Sequence, residues 1–136
     1  MRLRPLAPDE VYASWGWIRN GLLAVLAKND KAGFIPEDVY LRLRSGTAWA
    51  YTVGEDEIGF VILTQEHDPD GLVLFIWSLW LEPGSGAPVE DGIYGALEDL
   101  ARNIKARRIR MHSSRKGWER SGFFDRICVV YEHEVT

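Results

Sequence analysis

Cysteine is nearly absent. Cys128 stands alone, so the chain forms no internal disulfide and no cysteine-based metal site. Its neighbours Ile127, Val129 and Val130 give it the surroundings of a buried, inert thiol rather than a nucleophile. Long apolar runs are missing too. The longest, residues 72–81, is too short to span a bilayer as a helix. Met1-Arg2-Leu3-Arg4-Pro5 contains no apolar segment fit for a signal peptide. A soluble, cytoplasmic protein without membrane contact is the expectation. No P-loop, Cys-His or Ser-His-Asp signature occurs, and the spacing of His67, His112 and His133 suits no metal.

Basic charge is absent from one long stretch. Between Ser45 and Ala101 there is no Lys or Arg, against eleven Asp and Glu. Residues 102–126 then hold nine basic residues, with only Glu119 and Asp125 as acids. The net charge of −4 hides this segregation. The basic stretch is either a solvated face or a surface for an anionic ligand, such as a nucleotide phosphate or an acidic protein patch. Nucleic acid is disfavoured, because the whole chain is acidic and no basic-aromatic stacking motif is present.

What the chain does have is apolar and aromatic. Hydrophobic residues make up 46% of its 136 residues, enough for one domain with a proper core and against disorder. The six tryptophans, Trp15, Trp17, Trp49, Trp77, Trp80 and Trp118, exceed what one small sheet can cover. Some of them are expected at a contact with a protein partner or a second copy.

The organising stretch is 72–105. Residues 72–81, bounded by Gly71 and Pro83, read as a strand buried on both faces. A breaker cluster over 82–88 follows, and then Ile93, Leu97, Leu100 and Ile104 recur at helical spacing. A strand, a Gly-rich turn and a helix N-terminus with free N–H groups make a ligand-binding corner.

Around that corner, residues 2–6 suggest a first strand. Pro8-Asp9-Glu10 opens a first helix running to about Lys28, and Pro36-Glu37-Asp38 a second one closed by Ser45-Gly46. Residues 47–53 and 58–65 read as strands, separated by turns at 54–57 and 67–71. Residues 108–112 alternate as a half-buried strand, 115–121 form a short helical piece, and 126–134 a final strand with Ile127, Val129 and Tyr131 on one face. The order β-α-α-β-β-β-α-β-α-β predicts a mixed α+β sheet, mainly antiparallel, in one domain spanning 1–136.

This order, with its Pro-Gly turn before the main helix, resembles the GNAT superfamily of acyl-CoA-dependent N-acyltransferases. Trp118-Glu119-Arg120-Ser121-Gly122-Phe123 resembles the family's late helix ending in Gly-Phe, and residues 76–83 its fourth strand. The resemblance implies that this strand splays from the next one and that the pantetheine arm of acetyl-CoA enters the gap. Leu79, Trp80 and Leu81 would face the pantetheine, and Gly92, Ile93, Tyr94 and Gly95 the pyrophosphate. The chain also resembles small GNAT-like proteins encoded in phage genomes, some associated with virion assembly.

The departures bear on activity. The family's pyrophosphate loop reads Arg or Gln, two residues, Gly, one residue, then Gly or Ala. The best register here is Val89-Glu90-Asp91-Gly92-Ile93-Tyr94, where only Gly92 fits. An alternative register through Gly84 and Gly86 leaves the acids a turn away but equally lacks the basic residue. Val89 removes the basic or amide residue, Tyr94 is bulky where the backbone must come close, and Glu90 and Asp91 repel a diphosphate. The family's frequent acid, a Tyr, falls on Trp118, whose indole cannot donate a proton near neutral pH. The candidate bases stand at strand ends: the carboxylates Glu66 and Glu82, or His112 with Ser113 or Ser114 as a donor. Two functions compete: a binding or structural protein that keeps the fold with little or no acyl transfer, and an acetyl-CoA-dependent N-acetyltransferase.

Overall fold

A computed structural model describes residues 2–29, 32–84, 89–113, 120, 122–127 and 130–135, and for 89–91 the backbone alone. In chain order the elements are β1 (Leu3–Pro5), α1 (Pro8–Ala13), α2 (Trp15–Ala27), α3 (Pro36–Ser45), β2 (Trp49–Val53), β3 (Gly59–Asp68), β4 (Gly71–Leu81), α4 (Val89–Asn103) and β5 (Arg108–Met111). They build one five-stranded sheet in the order β1-β2-β3-β4-β5. Three antiparallel pairings precede a single parallel one, β4 with β5, which α4 makes possible by carrying the chain back along the sheet. The mixed, mainly antiparallel α+β architecture is the expected one.

Helices cover both faces. On one side α1, α2 and α3 bury Val11, Ile18, Leu22, Val39 and Leu43 against Ala50, Phe60 and Ile62. On the other, Ile93, Leu97 and Ala101 of α4 lie on Val61, Leu63, Leu74 and Ile76. The three- and four-residue spacing read in the sequence is therefore the stripe that α4 buries. Each fully buried Ile or Leu contributes roughly 1.5–3 kcal/mol.

Three expectations are corrected. The first helix is two, meeting at Ser14, where a small side-chain donor and Gly16 allow a bend that apolar spacing does not reveal. The β3 strand runs three residues beyond Gln65, so the following turn narrows to Pro69-Asp70. The expected final strand is not seen among its described residues: 126–127 and 130–135 carry no secondary structure, and Cys128 and Val129 lie outside the described residues. The helical piece at 115–121 lies outside the described residues apart from Arg120 in a 3₁₀ turn.

Candidate functional site: the opening between β4 and β5

The β4 strand has a break in its register. Leu63 faces Ile76 but Ile62 faces Ser78, so Trp77 is an extra, bulged residue. The bulge moves the alternation by one. Leu74, Ile76, Leu79 and Leu81 lie on the α4 side, while Trp77 and Trp80 pack on the α1–α3 side. It also falls where β4 and β5 part. Their pairing runs from Val73 with Arg108 to Ile76 with Met111 and stops there. β3 follows β4 to Leu81, so residues 77–81 keep one paired edge and one edge with no β5 partner. Along that edge every second backbone N–H and C=O points away from β3. Leu79, Trp80 and Leu81 are half-buried on it, the expected place for an extended ligand arm.

α4 follows β4 in the chain and packs on the same side of the sheet as Leu79 and Leu81. The helix starts at Val89, which puts Glu90 and Asp91 in its first turn, where free N–H groups and the helix dipole favour acids. Gly92 is half-buried, Ile93 is buried in the core and Gly95 is exposed with open space where a side chain would stand. Tyr94 turns inward. The residue is 8% exposed, and its ring is stacked on Phe123 at 4.5 Å and 6° and edge-on to Phe124 at 5.8 Å. The bulk that the sequence places in the loop is thus spent on joining α4 to the late Gly-Phe-Phe segment.

The structure does not bring Glu82 and His112 together. Glu82 follows the free end of β4, exposed, and accepts a hydrogen bond from the Trp17 indole at 3.1 Å. His112 follows β5 beside the bulge, edge-on to Phe75 with ring centres 5.0 Å apart. Five strand residues separate those two levels, roughly 16 Å. Ser113 adjoins His112, and Ser114 lies outside the described residues, as does Trp118. Among the described residues no group of His, Cys, Asp and Glu is placed to hold a metal, and no helix is long and apolar enough to cross a membrane.

Sequence reading missed three features. Ser78 is 4% exposed on the bulged strand, and among the described residues its hydroxyl has no hydrogen-bond partner. An aromatic packet joins α2 to β4: Trp17 meets Phe60 at 5.6 Å and Trp80 at 5.8 Å, and Phe60 meets Trp80 at 5.5 Å. The third is the destination of the basic charge. Arg108 holds both oxygens of Asp70 at 2.7 and 2.6 Å, and Arg110 holds both of Asp68 at 3.1 and 2.7 Å. Arg108 holds the Asp70 carboxyl well down, at about 2, and Arg110 lowers that of Asp68. Arg102 pairs with Asp99 and Glu98 on its own helix. A signal existed: both pairs share a two-residue spacing, and parallel β4–β5 pairing brings the acidic β3–β4 turn beside the start of β5. Arg102, Arg107 and Arg108 with Phe123 still line a shallow recess of about 270 Å³.

Known structures carry the same architecture. A predicted acetyltransferase from Clostridium acetobutylicum, solved with acetyl-CoA, is similar at 15% identity and TM-score 0.66, over 97% of this chain and 95% of that one. A ribosomal-protein-alanine N-acetyltransferase from Brucella melitensis biovar Abortus 2308 is similar at 14% identity and TM-score 0.62, over 100% and 99%. An aminoglycoside acetyltransferase from an uncultured soil metagenomic sample, solved with sisomicin, reaches TM-score 0.71 at 8% identity, over 99% and 96%. No family model matches the sequence, and no curated protein does. This chain has the GNAT fold. At such identities the likeness extends to the fold alone.

Proposed function

We propose that this GNAT-fold protein works by binding, as an assembly or structural component, with little or no acyl transfer. The observation that carries this reading is the mismatch between the two halves of its corner. The free β4 edge at Leu79–Leu81 fits the amide-bearing arm of an acyl-CoA. The α4 N-terminus does not fit the diphosphate, because its first turn already holds Glu90 and Asp91 and Val89 adds no cation. Two like charges within a turn cost a few kcal/mol in a partly screened site, on the order of a hundredfold in affinity. The base candidates support the same reading: Glu82 is engaged by Trp17, and His112 stands several residues away along the strand.

The alternative, an acetyl-CoA-dependent N-acetyltransferase acting on an amine of a small molecule or protein, is favoured by one observation. The bulge at Trp77 and the parting of β4 from β5 are intact. Calorimetric titration with acetyl-CoA separates the two. Binding weaker than millimolar is expected, rising when Val89→Arg is combined with Glu90→Gln and Asp91→Asn. Tyr94 stays untouched in that variant, since its ring is part of the core. Micromolar binding to the unaltered protein, with acetyl transfer to any amine, would restore the enzyme.

A further inference from the structure

Where α4 ends and β5 begins, the arginines are spent on carboxylates, with one exception. Arg102 pairs with Glu98 and Asp99, Arg108 with Asp70 and Arg110 with Asp68. Arg107 meets no carboxylate within 4.0 Å among the described residues, and its guanidinium donates to the Asp70 carbonyl oxygen at 3.3 Å. The residue is nonetheless held in place. Its backbone N–H donates to the Leu72 carbonyl at 2.8 Å, and its stem lies on Gly71. A Cβ at Gly71 would stand 2.7 Å from Arg107 Cδ and 3.0 Å from Cγ, so the stem occupies the room that glycine leaves.

Arg107 lines the recess of about 270 Å³ at the end of α4, with Arg102, Arg108 and Glu98 around it and Ile109 and Phe123 as apolar floor. The volume is just under the roughly 300–1,000 Å³ of small-molecule sites, and a few polar groups beside an apolar wall are typical of them. Complementing the helix dipole is not what these arginines are needed for. The N–H groups of Lys105 and Ala106 already cap the Arg102 and Ala101 carbonyls, at 3.1 and 2.8 Å. Three guanidiniums against the Glu98 carboxylate leave two positive charges in the lining, the complement of a dianion. Asp99 and Asp70 reach Arg102 and Arg108 without lining the recess. The Arg102 side chain is 69% exposed, and pairs so exposed are weak enough to yield to a ligand. Arg108 can keep Asp70, since that carboxylate takes two of its five N–H donors.

We propose that this recess binds a small phosphate monoester, with the phosphate on Arg102 and Arg107 and the apolar body on Ile109 and Phe123. The planar fork of arginine matches phosphate oxygens, and a carboxylate would bring one charge where the lining is short of two. From Val89 to Ala101 the helix rises roughly 18 Å, so Glu90 and Asp91 stand at its far end. The site is therefore independent of what the β4–β5 opening binds.

The test uses the full chain and phenyl phosphate, in low salt at pH 8, above the second phosphate pKa of about 6. Titration followed by ¹H–¹⁵N NMR should shift the backbone amides of residues 106–109 and saturate with a dissociation constant of about 1 mM or less. Arg107→Ala and Arg102→Gln should each weaken binding at least about fivefold, since each removes a charge-assisted contact. Arg102→Gln alters only an exposed helix position, which keeps the test open if Arg107→Ala disturbs the β4–β5 pairing. Arg19→Gln removes the same charge from α2, on the other face of the sheet, and should leave binding unchanged. Absence of saturable binding would overturn the proposal, as would a loss in Arg19→Gln equal to that in the recess variants. Benzoate binding as tightly as phenyl phosphate would overturn the dianion, and inorganic phosphate doing so would overturn the apolar floor.

Discussion

Replacing Gly21 with alanine tests how α2 is seated on the bulged strand. A Cβ at Gly21 would lie 2.4 Å from Phe60 Cε2, 2.7 Å from Trp80 Cε3 and 2.8 Å from Phe60 Cζ. Ordinary carbon contacts are about 3.5–4.0 Å, so more than an ångström must be found. Neither ring yields easily. Phe60 is fully buried, and Trp17 and Trp80 hold it at 5.6 and 5.5 Å. Over-packing of this kind costs about 1–3 kcal/mol, and a shortfall this large belongs near the upper end. Alanine returns about 1 kcal/mol through better helix propensity. The expected net loss is therefore about 2 kcal/mol, a fall in Tm of roughly 8 °C for a domain of this size. Urea unfolding followed by tryptophan fluorescence reads it as a lower midpoint with an unchanged slope. Gly95→Ala is the control, because nothing lies within 4 Å of its Cβ position on an exposed face of α4. That change should stabilise by about 0.5–1 kcal/mol. A Gly21→Ala midpoint equal to or above that of the unaltered protein would refute the packing argument.

Ser78→Ala should stabilise the fold by about 1 kcal/mol, read as a higher urea midpoint, since a buried donor without a partner among the described residues is destabilising; a lower midpoint would mean that the hydroxyl is satisfied in solution. The carboxyls of Asp70 and Asp68 titrate lower in the folded chain than their ordinary 3.8, so their contribution is full above about pH 5 and is lost as pH falls through the folded value, which for Asp70 is about 2. Asp70→Asn should flatten that part of the stability–pH curve, and a curve unchanged from the parent would show the Arg108 pair to be idle.

The sequence by itself determined whatever depends on neighbours a few residues apart. Ile93, Leu97, Leu100 and Ile104 mark the α4 stripe because a helix repeats every 3.6 residues, and Gly46 ends α3 with a φ of +78° that favours glycine. The strands of the β2–β3–β4 meander are legible for the same reason, as is the acidic first turn of α4. Tertiary structure alone decided matters of register and distant pairing. The extra residue at Trp77 exists only relative to β3, and it sends Trp77 and Trp80 to one face and Leu79 and Leu81 to the other. Glu82, read as a free strand-end carboxylate, meets Trp17 across sixty-five positions. The charge segregation ends as short ion pairs of Arg108 and Arg110 with Asp70 and Asp68, some forty residues away, because a parallel crossover returns β5 to the turn before β4. The described residues of the strand-like run over 126–134 carry no secondary structure, since apolar composition alone does not fix a ladder, which requires a second edge that local sequence does not specify.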